Sequence, residues 1–146
     1  MKRYLSLFVA MMMLVAVAAT AARSQSPAPR LMRAHIPFAF NVGNKQLPAG
    51  EYNVTVLNPS SDQKVLQIRS TDGRISAIVN TLGMKSKSPE KSKLAFHRYS
   101  ATYFFAQAQV SGELTALAAL KSHAERVEER TIASTGGRTI VTIVTE

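Results

Sequence analysis

A chain of 146 residues with no cysteine, and with 18 Lys and Arg against 9 Asp and Glu, is sized for one domain plus a short extra segment. The absence of cysteine excludes structural disulfides and the lipid-modified cysteine of a bacterial lipoprotein. A formal charge of +9 favours polyanionic surroundings such as lipid headgroups, acidic glycans or nucleic acid, or serves solubility alone.

Residues 1–22 have the layout of a secretory signal peptide. Lys2 and Arg3 give the positive start, Leu5–Ala18 the apolar run, and Ala19-Thr20-Ala21 the small-residue site that fits a signal peptidase. The alternative is an uncleaved anchor, since Leu5–Ala22 just reaches a bilayer-spanning length. Small residues close the run and no basic cluster follows it, which favours cleavage near Ala21 or Ala22. The mature chain would keep about 125 residues and a charge of +7, sixteen basic against nine acidic. The expected location is the periplasm or the medium. Export makes nucleic acid an unsuitable partner and leaves an anionic envelope surface or another exported protein.

Residues 23–33 (RSQSPAPRLMR) hold two prolines and little apolar pattern, which predicts a spacer before a domain over residues 34–146. From there the apolar residues alternate with period two, the mark of half-buried strands. Ile36, Phe38, Phe40 and Val42 share one face, with Pro37 pointing to an edge or a bulge. Gly43-Asn44 turns the chain. Tyr52, Val54 and Val56 mark the next strand, and Asn58–Asp62 is turn chemistry. Leu66 and Ile68 face inward from Gln63–Ser70, which Asp72-Gly73 joins as a hairpin to Ile75–Leu82. Gly83–Lys93 then reads as a flexible polybasic turn, with Lys85, Lys87, Lys91 and Lys93 among serines and a proline.

Leu94–Tyr99 and Tyr103–Val110 predict another strand pair. Ser122-His123-Ala124-Glu125 has the form of a capping box, predicting a helix over Ser122–Thr131. The spacing of Leu117, Leu120, Ala124 and Val127 extends that helix back to Leu114, the alternative being a strand end before the cap. Gly136-Gly137 leads into Arg138–Thr145, where Ile140 and Val144 lie on one face and Val141 and Ile143 on the other. So β-branched a segment should be paired within the sheet and covered on both faces. About seven strands and one helix in the C-terminal half predict a mainly β fold, an antiparallel sandwich or small barrel.

The run Ile36-Pro37-Phe38-Ala39-Phe40-Asn41-Val42-Gly43, followed by Leu47-Pro48-Ala49-Gly50-Glu51-Tyr52-Asn53-Val54, resembles the opening of a family of short exported bacterial proteins. A late S-x-x-E-R segment, here Ser122, Glu125 and Arg126, belongs to the same resemblance, which spans most of the mature chain. It implies a compact exported β-domain and no particular activity. The shorter LPAGEYNV stretch is also similar to the turn and strand of carboxypeptidase-regulatory-like and prealbumin-type sandwiches.

Motifs for chemistry are sparse. His35, His97 and His123 lack the paired spacing of metal ligands. Glu125, Glu128 and Glu129 fall among arginines on the expected helix, as on a solvated face. No G-x-S-x-G elbow, Walker loop or G-x-G-x-x-G occurs. The expectation is therefore no catalytic, cofactor or metal residues, and a non-catalytic binding or structural module. The alternatives are a small barrel carrying an apolar ligand, and an enzyme without a recognisable motif. Phe38, Phe40, Phe96, Tyr103 and Phe105 should fill the core rather than line a cavity, leaving no enclosed apolar pocket of roughly 300 Å³ or more. Strands of about seven residues are too short for an outer-membrane barrel. The only local site to name is a polyanion or membrane-surface contact at Lys85, Lys87, Lys91 and Lys93.

Overall fold

The computed structural model describes residues 30–133 and 136–145, so the expected signal peptide lies outside the described residues. The ten strands are β1 (Arg30–Ile36), β2 (Phe40–Val42), β3 (Lys45–Leu47), β4 (Gly50–Val56), β5 (Lys64–Ser70), β6 (Ser76–Lys85), β7 (Lys93–Tyr99), β8 (Thr102–Gln109), β9 (Thr115–Ala119) and β10 (Thr139–Val144). Among the described residues there is one helix, α1 (His123–Ile132), between β9 and β10. The fold is mainly β with its helix in the C-terminal half, as the sequence predicts. The first strand takes in Arg30–Arg33 of the expected spacer.

All ten strands belong to one sheet rather than to a sandwich of two. Along the order β1-β4-β5-β6-β9-β8-β7-β10 every neighbour is antiparallel. Inward residues from β1 through β7 and β8 join one buried cluster, so the sheet curls around its own core. It does not close. The end strands β1 and β10 approach where the Thr145 hydroxyl donates to Met32 Sδ at 3.9 Å, but they share no ladder.

The two ends of the curl differ. At one end, β9 is too short to separate β6 from β8 along their whole length. The β2–β3 hairpin fills the remaining gap, with Asn41 bridging to Phe104 in parallel and the Lys45 ammonium donating to the Ser76 carbonyl at 2.7 Å. Phe40, Val42 and Leu47 of this hairpin are fully buried. Phe40 meets Tyr52 and Phe96 edge-on at 5.3 Å, and Phe38 stacks on Tyr103 at 4.0 Å. The five aromatic residues singled out in the sequence thus fill this end and the middle of the core.

Three expectations change. Leu114–Lys121 contains strand β9 (Thr115–Ala119) and no helix: β9 fills the gap between β6 and β8, where open ladder groups outweigh its helical spacing. Glu125 does not return to the Ser122 amide; only the serine half of the capping box forms, with Ser122 Oγ accepting from the Glu125 amide at 3.1 Å. Strand β10 pairs with β7 alone, and Ile140 and Val144 are each 60% exposed, because α1 covers the outer face of β7 and stops short of β10. Among the described residues no helix is long and apolar enough to cross a membrane.

Candidate functional site: an apolar cup with a lysine rim

The opposite end of the curl is open, and a β-bulge explains why. Along β8, Phe105 pairs with Phe96 and Gln107 with Ala95, so Ala106 is an extra residue without a partner. Side chains alternate with period two, and one inserted residue reverses the faces beyond it. Inward positions therefore pass from Phe105 to Ala108 and Val110, while Gln107 and Gln109 turn outward. Where the core would need large side chains, β8 supplies small ones.

The result is a cup of about 320 Å³ lined by Leu31, Val56, Ala108, Val110 and Leu117, with Pro59, Lys64, Glu113 and Thr115 at its rim. The sequence predicts no enclosed apolar pocket of this size, and this space is not enclosed: it opens to solvent at the mouth and lies away from the aromatic residues. The cup lies where β1, β5, β7 and β9 begin and β4, β6, β8 and β10 end, beside the unclosed β1–β10 approach.

The same bulge fastens the lysine segment. Gln109, turned outward, is only 2% exposed, and its Nε2 donates to Ser86 Oγ at 2.8 Å and to the Lys87 carbonyl. The Ser86 amide donates to the Leu114 carbonyl at 2.8 Å. Ser111 donates its amide to Ser92 Oγ at 2.9 Å and its hydroxyl to the Glu90 carbonyl at 2.8 Å. The segment expected to be a flexible turn is strapped to β8 and to the β8–β9 turn. Lys85 belongs to β6 opposite Thr115 of the rim, and Lys93 to β7 opposite Gln109. Lys85, Lys87 and Lys91 are exposed and Lys93 is half-buried. The structure thus brings all four to the mouth.

Lys64 is a fifth. Its ammonium donates to the Pro59 carbonyl at 2.6 Å and to Ser61 at 3.4 Å, holding it over the β4–β5 turn. Neither Lys64 nor the cup stood out in the sequence. The doublet Phe104-Phe105 followed by Ala-Gln-Ala-Gln was the available signal, since two adjacent aromatic residues in a strand cannot share one face.

A second polar arrangement lies on the outer side of the sheet under α1. His97 Nδ1 stands 2.6 Å from Glu125 Oε1, and the Tyr99 hydroxyl donates to the same oxygen at 3.2 Å. Glu125 and Tyr99 are buried, with Phe104 edge-on to Tyr99. Burial, and then the charges of Glu125 and Glu129, push the Tyr99 phenol up to about 12. A phenol so held is a neutral donor near pH 7, neither base nor nucleophile. Two bonds from Lys121 hold Glu129 below the usual carboxylate range. The cluster pins the helix to β7. A shallow depression of about 730 Å³ between α1 and β10 has mixed, mostly exposed walls, including Arg98, Ser100, Thr131 and Ile132. Among the described residues no three His, Cys, Asp or Glu side chains stand together as a metal site.

No family model matches the chain, and no curated protein or solved structure is significantly similar to it.

Proposed function

We propose that this chain is an exported, non-catalytic binding module whose ligand site is the cup at the open end of the sheet, and that the ligand is a small apolar or amphiphilic molecule. The observation that carries this reading is the apolar wall, where Leu31, Val56, Val110 and Leu117 line a solvent-connected space at the edge of the core. At about 320 Å³ it stands at the lower bound of the rough 300–1,000 Å³ range of small-molecule sites. Apolar surface left wet at the end of a well-filled core gains by covering, by about 25 cal/mol per Å². Export rests on Lys2, Arg3, Leu5–Ala18 and Ala19–Ala21, and the likeness of Ile36–Val54 to exported bacterial β-domains agrees with it.

Calorimetric titration of decanoate into the protein should give saturable one-to-one binding. Val110→Trp, which fills the cup from its half-buried position in the wall, should abolish that binding without lowering the melting temperature. Absence of heat, or equal binding by Val110→Trp, would overturn the ligand reading. For export, mass spectrometry of the secreted or periplasmic protein should find a new N-terminus near Ala22 or Arg23. Intact Met1 in the membrane fraction would reverse it.

A further inference from the structure

The residues around the cup mark more than an entrance. Leu114, at the tip of the β8–β9 turn, is 69% exposed, and Leu57, at the end of β4, is 42% exposed. Both stand at the mouth, on the same end of the sheet as Lys64, Lys85, Lys87, Lys91 and Lys93. Among the described residues Asp62, Glu90 and Glu113 are the acidic ones there, leaving the lysines in excess. Exposed leucines at turn tips within a ring of lysines match a lipid interface, where the apolar tips enter the acyl boundary and the ammonium groups meet anionic headgroups.

We infer that the mouth is a docking face for an anionic bilayer, so that the cup opens directly onto the membrane from which it takes its ligand. Delivery rests on the ligand reading above; docking does not. The lysine segment suits the role because it is prearranged. Its bonds through Gln109, Ser111 and Leu114 tie it to the same turn that presents Leu114, so little ordering accompanies contact. The charge complementarity selects an anionic membrane over a neutral one or a protein groove.

The chain has no tryptophan, so Leu114→Trp places a single reporter at the tip. Parent and variants are compared in the same processed form, because the Leu5–Ala18 run would itself bind lipid. At low salt, vesicles of equal parts phosphatidylglycerol and phosphatidylcholine should shift the emission to the blue, and pure phosphatidylcholine should not. The shift should vanish toward 1 M salt, where the screening length is about 3 Å. Replacing Lys85, Lys87 and Lys91 by Ser should weaken partitioning by a factor of about five each, on the order of a hundredfold together. These lysines are exposed, so the melting temperature should stay put. No blue shift, equal binding to neutral vesicles, or unchanged partitioning of the triple variant would overturn docking. Val110→Trp lies outside that test and gives the separation. Loss of decanoate binding with docking intact is expected of it, whereas a triple-lysine variant that binds decanoate but not vesicles separates the two readings from the other side. Failure of decanoate binding by the parent, with docking intact, would sink the ligand reading alone.

Discussion

The closed and open ends of this sheet are made by the same strands, yet they are packed by opposite means. At the closed end a three-residue hairpin arm on each side of Gly43-Asn44 inserts Phe40, Val42 and Leu47 between β6 and β8, and aromatic rings meet edge-on around it. At the open end β8 has slipped by one residue at Ala106, and the inward positions hold Ala108 and Val110. The lesson is one of register. An inserted residue leaves a space inside and, in the same stroke, turns Gln109 outward to hold the loop that carries the lysines. The large core side chains belong mainly to one end and, on the proposed function, recognition belongs to the other.

The largest expected effect tests that division directly. Phe40→Ala empties a site that is 0% exposed and touches two aromatic rings, and should cost roughly 3–5 kcal/mol in denaturant unfolding. Decanoate binding by the surviving folded fraction should be unchanged. A loss below 1 kcal/mol would mean that the hairpin is an ornament on a sheet held together elsewhere.

The helix offers an intermediate case, because it is fastened by polar groups over a small apolar patch. Tyr99 is nearly fully buried and its phenol is pushed from 10 to about 12 in the folded chain. Its folded value lies above its unfolded one, so its contribution is complete below pH 10 and is lost as pH rises through 12. Two units correspond to roughly 2–3 kcal/mol. Melting temperature should therefore fall steeply between pH 10 and 12, and Tyr99→Phe should flatten that limb. Equal alkaline slopes in the two proteins would remove Tyr99 from the pin. A smaller effect is expected at the cap: Ser122→Ala removes the acceptor of the Glu125 amide and should cost about 1 kcal/mol by thermal unfolding.

Much of the fold was legible because alternation reports burial strand by strand. Leu66 and Ile68, Tyr52, Val54 and Val56, and the Asp72-Gly73 hairpin follow from local chemistry, with Gly73 at a φ of 76° and Asp72 accepting from the Arg74 amide at 3.1 Å. What was not legible depends on partners distant in sequence. Leu114–Lys121 carries helical spacing and becomes a strand because β6 and β8 present unpaired ladder groups to it. Glu125 has the right neighbours for a capping box, yet it serves the half-buried His97 and the buried Tyr99 beneath the helix, which need an acceptor. The cup was hidden for a third reason. The bulge lies inside Tyr103–Val110, and a bulge changes faces without changing composition. The lysines were visible as a charge run, but only the topology places Lys64 with them.

The smallest expected effect on stability is the sharpest test of what the open end is for. Thr115 is an exposed residue at the start of β9, opposite Lys85, with its side chain at the rim of the cup. Thr115→Val keeps the shape and the β-branching and exchanges a hydroxyl for a methyl. An exposed position away from caps and ion pairs should change stability by no more than about 0.5 kcal/mol. An apolar ligand that covers the rim must strip water from the hydroxyl in the parent and need not do so in the variant, a difference on the order of 0.5–1 kcal/mol. Decanoate should therefore bind the variant about two- to fivefold more tightly by calorimetry, with the melting temperature of the free protein unchanged. At the closed end a single truncation should move stability and leave binding alone; here a single methyl should move binding and leave stability alone. Weaker binding by Thr115→Val would mean that the hydroxyl makes a bond to the ligand, and the rim would then be reading a polar group of the ligand at Thr115.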